Sequence, residues 1–370
     1  MLLTIVVFII ILSVLVLVHE AGHFFVAKLL KIKVEEFGFG LPPRAFGIKY
    51  GETIYSINWL PIGGFVKLYG EDEAGSGSVS IKPQNLPEKD LKRAYFSRPK
   101  WQKTAVIIAG VIMNFLLAVV ILSYLYSAVG VPVPNNKVVV VEVLKNSPAE
   151  KVGIVAGDTI EKVKGTSITS TSQLIKLVDH LAGTQIPILI KTQNGKEIVL
   201  NITPRKNYPK NQGPMGVAIS PGTDIKRYPW YEAPFVGTKE ALNETWLIVN
   251  GLVMLTTQIL TRGAVPQDVA GPVGIAQLTG TVVSIGFNAV LSFVALLSLN
   301  LAIVNILPFP ALDGGRLLFI AIEAVTRRKV DPVLESYIHT VGMAILLALI
   351  ALITVHDLLR IFSGQPIIPK

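Results

Sequence analysis

Along this chain of 370 residues, long apolar runs alternate with mixed segments. Four apolar stretches, at about 2–28, 104–129, 283–307 and 338–355, are long enough to cross a bilayer core as helices, which takes about 20 residues. A fifth stretch, 241–260 (ALNETWLIVNGLVMLTTQIL), is interrupted by Asn243, Glu244, Asn250 and Gln258. It predicts an amphipathic helix lying at the interface. Between the second and third spans the periodicity changes. VVVVEVL at 138–144 reads as a strand, Ser147-Pro148-Ala149-Glu150 as a capping box with proline at the first helical position, and Leu174, Leu177, Val178 and Leu181 follow helical spacing. Asn194-Gly195 joins QIPILIKT to KEIVLNIT as a hairpin whose first arm, carrying Pro187, is expected at a sheet edge. A weaker alternation from Thr53 to Leu68 ends in Pro61 and Gly63-Gly64, and predicts a hairpin within 33–70 that exposes an edge strand. Asp72 to Ser80 has the composition of a flexible linker.

Composition sets the solvent. With 51% hydrophobic residues, 16% charged and a mean hydropathy of +0.55, the chain is too apolar for an ordinary soluble protein. The N-terminal run has no basic residue before it and no small-residue cleavage pattern after it, so it is expected to stay as a helix. The absence of cysteine excludes disulfides and thiolate ligands, so a bound metal must use histidine or carboxylate. The net charge of +9 is spread over loops, which suits lipid headgroups and cytosol and argues against nucleic acid. Lys28, Lys31 and Lys33 after the first span, and Arg98, Lys100 and Lys103 before the second, place 30–103 in the cytosol and 130–240 outside. Arg327, Arg328 and Lys329 then fall inside again.

Into this apolar setting the first span places His19-Glu20-Ala21-Gly22-His23. Histidines at i and i+4 share one helix face and can both ligate zinc, with the glutamate placed to take a proton from water activated by the metal. A catalytic zinc usually has three protein ligands. The candidate for the third is Asp313, just past Pro308 and Pro310, which break the third span near its inner end. Asp313 can also be read as the N-cap of the helix starting at Gly314. His19, His23 and Asp313 all lie toward the inner ends of spans running in the same direction and can meet at one depth. If 241–260 crossed the membrane, Asp313 would fall about 20–30 Å from His19.

At these residues the chain resembles the site-2 intramembrane metalloproteases of peptidase family M50, of the bacterial regulator-of-sigma-E protease type. The likeness is carried by VHEAGHFFVAK, VEEFGFGLPP with INWLPIGGFVKLYGED, KTAVIIAGVIMNFLLA, DVAGPVGI and NILPFPALDGGRLL. NSPAEKVGIVAGDTIEKVKG is similar to the PDZ signature of bacterial proteases. The resemblance implies a polytopic α-helical membrane protein of about four transmembrane helices, with a membrane-associated β-hairpin and one α+β PDZ domain between the second and third spans. The expected layout is a first half of the protease core at 1–129, the PDZ domain at 130–207, an interfacial linker region at 208–280 and the second half of the core at 281–370. It also implies Zn2+ held by His19, His23 and Asp313, with Glu20 as the base. Asn305, Pro308, Pro310, Gly63 and Gly64 are expected near substrate, and Asn114 as a polar group joining helices within a span. Val111 departs from the family's frequent proline, and there is room for one PDZ module where the comparison type often has two.

The function so implied is cleavage of the transmembrane segments of membrane-anchored regulators, of the anti-sigma-factor type, or of remnant signal peptides. The enzyme would sit in the cytoplasmic membrane with its active site toward the cytosol. The PDZ module would lie outside, meeting peptide C-termini or the outer domains of substrates. The alternative is an inactive membrane adaptor with a structural metal site; a metal-ion transporter is disfavoured because the polar residues cluster at one depth. His180, His339 and His356 are assigned no chemistry.

Overall fold

The first apolar run is one helix, α1 (Leu2–Leu29), ending where Lys31 enters the left-handed region at φ +59°. In this computed structural model residues 2–71, 91–209, 212–262 and 271–363 are described, so the linker expected at 72–80 lies outside them. The chain divides into two compact units, one of residues 1–125 with 229–370 and one of residues 126–228.

After α1 come β1 (Val34–Tyr50) and β2 (Thr53–Leu68). The expected simple hairpin is corrected here, because both strands double back. Tyr50 to Arg44 pair with Thr53 to Asn58 as a hairpin, while Val34 to Phe39 pair on one side with Leu68 to Gly64 in opposite direction and on the other with Ile54 to Ile57 in the same direction. The resulting order is 44–50, 53–58, 34–39, 64–68, which leaves 64–68 as an edge. Gly40 makes the first reversal at φ +82°, where a Cβ would lie 2.4 Å from the Leu60 carbonyl oxygen; Gly63 makes the second at φ +85°. Glu36 is buried within the sheet, where it accepts from Ser56 Oγ at 2.6 Å and pairs with Arg44. Residues 41–50 are exposed. Helix α2 (Lys100–Tyr124) follows Pro99 and closes in a π turn over Leu125–Val129. It crosses α1 closely, since a Cβ on Gly22 would lie 2.3 Å from the Ala109 carbonyl oxygen.

The second unit holds β3 (Val131–Val143), the one-turn helix α3 (Pro148–Lys151), β4 (Thr159–Val163), β5 (Thr166–Ser167), α4 (Thr171–His180), β6 (Ile186–Lys191), β7 (Glu197–Ile202) and β8 (Val217–Lys226). Its sheet runs β7-β6-β4-β3-β8, with β5 attached to β4. Val138, Val140, Ile160, Val163, Leu174 and Ile188 form the center of its core. The capping box is present in altered form: Ser147 Oγ accepts from the Glu150 N–H at 3.1 Å, but Glu150 accepts from the N–H of Asn146. Two expectations are revised. β6 is interior, and its Pro187 is tolerated because pairing with β4 begins only at Ile188; beyond it the Pro187 carbonyl accepts from Lys164 N–H at 2.8 Å. The unit also extends past 207, because β8 pairs along β3 from Val217 to Lys226, inside the stretch expected as linker. Pro221-Gly222 in its middle gives that stretch the look of a turn, which an outer strand accommodates.

The first unit resumes with α5 (Ala233–Arg262), whose small residues Ala233, Gly237 and Ala241 face inward, Gly237 against Ser123 of α2. The interfacial segment expected at 241–260 lies in this helix. Then follow α6 (Pro272–Ile285), α7 (Phe287–Ile306), α8 (Asp313–Thr326) and α9 (Pro332–Phe362). The third span thus starts at Phe287 instead of 283, because Gly286 at φ +131° separates α6 from α7. Among the described residues α1, α2 with its π turn, α7 and α9 are long and apolar enough to cross a membrane. Asp357 of α9 accepts from the Gly274 N–H at 2.8 Å, satisfying an open donor in the first turn of α6.

The strand assignment has a direct test. A fragment covering 126–228 should unfold cooperatively in a denaturant titration, whereas a fragment stopping at 207 leaves the β3 edge and its apolar residues uncovered and should show no cooperative transition.

Candidate active site

His19 and His23, one turn apart on α1, direct their Nε2 atoms to a common point, 3.2 Å from each other. The Asp313 Oδ2 atom, from the first residue of α8, lies 3.0 Å from His19 Nε2 and 3.3 Å from His23 Nε2. The Asp313 carboxylate does not cap its helix: the N-cap position is Leu312, with no side-chain hydrogen bond. The Asp313 carboxylate thus faces the two histidines and makes no capping hydrogen bond.

The donor set suits a zinc ion. Ligands about 2.0–2.1 Å from a tetrahedral zinc lie about 3.3 Å from one another, close to the separations here. His23 Nδ1 donates to the Val106 carbonyl at 2.8 Å, which leaves Nε2 with its lone pair facing the cluster. His19 Nδ1 faces the Asn114 side-chain nitrogen at 3.3 Å, while Asn114 Oδ1 is buried with no partner. Exchanging the amide oxygen and nitrogen, which have the same shape, lets Nδ1–H donate to Oδ1 and gives His19 the matching tautomer. Asn114 therefore faces the cluster with its side chain, while its carbonyl accepts from Ser298 Oγ at 2.7 Å and joins α2 to α7.

Glu20 borders a cavity of about 210 Å³ together with His23, Phe65, Val66, Asp313 and Arg316. Arg316 pairs with Glu71 at its wall. Asn305, near the end of α7, has its amide nitrogen 3.2 Å from His19 Nε2. Gly64 passes close to Glu20: a Cβ there would lie 3.5 Å from Glu20 Cγ. Gly63, Pro308 and Pro310 shape the backbone on either side, Gly63 at the sheet reversal and the prolines in the 307–312 loop between α7 and α8.

Two residues of this site escaped the sequence reading of roles. A Cβ on Gly110 of α2 would sit 2.6 Å from His23 Nε2 and 2.7 Å from His19 Cε1, and Gly22 provides the close approach of α1 to α2. Their signal is the one small residues give in membrane helices, where helix backbones touch. Gly314 and Gly315 act similarly, admitting the carbonyls of Ile306, Leu307 and Phe309 to the start of α8.

Residues 7–349 match peptidase family M50, and the chain belongs to that family. It is an intramembrane zinc metalloprotease, a bacterial membrane protein. The regulator of sigma-W protease RasP of Bacillus subtilis is 30% identical over 430 residues, covering 97% of this chain and 99% of RasP. A Clostridium perfringens protein carrying the name zinc metalloprotease is 35% identical over 350 residues, covering 94% of this chain and 96% of its own length. The PDZ domain of an SdrC-like protein of Listeria monocytogenes aligns at 25% identity and a TM-score of 0.21, over 24% of this chain and 93% of that domain.

The crowding at Gly110 yields a prediction. Gly110→Ala should lower zinc content, measured by atomic absorption on purified protein, while the helix content seen by circular dichroism stays unchanged.

Proposed function

We propose that this protease cuts transmembrane segments of membrane-anchored regulators, or remnant signal peptides, with His19, His23 and Asp313 as zinc ligands and Glu20 as the proton-transfer group. The convergence of those three ligand atoms beside Glu20 carries the reading. His19, His23 and Asp313 would hold the zinc, which when bound would supply Lewis acidity toward the scissile carbonyl and lower the pKa of water toward neutrality. Glu20 takes the proton of the attacking water and delivers it to the leaving amine. The Asn305 amide is placed to donate to the carbonyl oxygen as it gains charge. His23, tied to Val106, and His19, facing Asn114, keep their ring orientations while this happens.

A helical substrate hides its carbonyls in its own hydrogen-bond ladder, so cleavage requires an extended segment. Edge strand 64–68 borders the Glu20 cavity through Phe65 and Val66, which supports strand addition there. In the second unit, β8 is one of the two outer strands, with β7 at the other end of the sheet, and α4 packs against β8. This arrangement supports a PDZ reading in which a peptide C-terminus adds to β8. We place this module between the second and third spans, on the outer side, and the metal toward the cytosol, following the distribution of basic loops. The name of the Bacillus subtilis relative, regulator of sigma-W protease, supports regulators of that general type as substrates.

Two outcomes test this function. Glu20→Gln should keep zinc at the level of the unaltered enzyme and abolish cleavage of a model transmembrane substrate; normal turnover would remove Glu20 from the mechanism. Replacing 131–226 by a short Gly/Ser linker should preserve cleavage of a minimal transmembrane substrate and raise that of a substrate with a bulky outer domain. An unchanged ratio between the two substrates would make the module a spacer.

A further inference from the structure

We propose that His339, on α9, is a positioning residue that holds the loop carrying Asp313, a role that rests on Asp313 being a zinc ligand. Ala311, two residues before Asp313, stands at φ +80°, a conformation that L side chains rarely adopt. Its N–H donates to His339 Nδ1 at 3.0 Å. The ring is therefore neutral with its proton on Nε2, which lies 4.0 Å from the Glu335 carboxylate one turn back. His339 is 4% exposed and packs against Phe319 with ring centroids 5.5 Å apart.

One turn further along the same face, α9 presents Gly342, where a Cβ would lie 2.3 Å from Pro310 Cβ and 2.8 Å from the Pro310 carbonyl oxygen. The helix thus grips two consecutive loop residues, Pro310 by close approach and Ala311 by a hydrogen bond. A backbone held off its preferred region persists only where its surroundings over-determine it. Without the acceptor, Ala311 relaxes toward negative φ and turns the chain that aims the Asp313 carboxylate at the two histidines. His339 touches no reacting atom; it acts through Ala311.

The test is zinc affinity, measured by competition with a chelator, and cleavage of a model transmembrane substrate, in four full-length variants. His339→Leu should weaken zinc binding by roughly 10- to 100-fold, the usual effect of removing an outer partner of a metal ligand. His339→Asn, whose Oδ1 can take the place of Nδ1, should bind zinc close to the unaltered enzyme. Adding Ala311→Gly to His339→Leu should restore most of the affinity, because glycine adopts φ +80° without an anchor. Unchanged affinity in His339→Leu overturns the proposal. So does a defect that neither the asparagine nor the added glycine relieves, since His339 then serves packing alone. Asp313→Ala separates the two levels: if it keeps full zinc affinity, the ligand assignment itself fails, whereas loss there with normal binding in His339→Leu removes only the role of His339.

Discussion

Three lone-pair donors crowded to about 3 Å inside an apolar helix bundle are the constraint from which the rest of the first unit follows. Two imidazoles and a carboxylate in such a place are expensive unless they share a cation or protons. That cost requires their other polar atoms to be satisfied, and the neighbors do so: Val106 takes the Nδ1 proton of His23, and Asn114 stands opposite that of His19. The same constraint explains the glycines, because nothing larger than hydrogen fits at Gly110 between the rings or at Gly22 beneath Ala109. Ordinary membrane packing favors small residues for close helix contact. Here they also leave room for the histidines.

The broken end of α7 solves a related problem. A continuous helix could not turn Asp313 back toward α1, and the 307–312 loop exposes backbone groups that no lipid can satisfy. Phe309 N–H donates to the Leu307 carbonyl at 2.7 Å, Leu312 N–H to the Phe309 carbonyl at 3.1 Å, and Ala311 N–H to His339. The prolines remove two donors from this inventory. The N–H groups of Phe309 and Leu312 are thus satisfied within the turn and that of Ala311 by His339 of α9, and the shape of the turn aims one carboxylate.

The doubled sheet of β1 and β2 brings a strand edge to the same cavity. A plain hairpin would have two edges, each one strand from the other. Folding both strands back puts Val34 to Phe39 in the middle and leaves 64–68 outermost, next to Glu20. The inner part of this sheet is buried around Glu36 and its partners, and its far end is exposed. Rigidity near the chemistry and access to an edge therefore come from one folding decision.

Much of this was legible in sequence because it depends on local rules. Apolar length predicts spans, a four-residue spacing puts His19 and His23 on one face, and Pro308 with Pro310 marks a broken helix. Span direction allowed Asp313 to meet the two histidines, but whether it capped its helix or faced them was a tertiary question, answered by the packing of α1 and α2 with the start of α8. The doubling of the hairpin, the interior place of β6 and the membership of β8 were hidden because strand partners are chosen by long-range pairing, and Pro187 or Pro221 reads alike at an edge, a ladder end or a turn. In sequence Asn114 reads as a polar group joining helices and His339 as a residue with no chemistry assigned. Only the folded chain brings Asn114 opposite His19 and His339 beneath Ala311, because a hydrogen-bond partner on another element of the chain leaves no periodic trace.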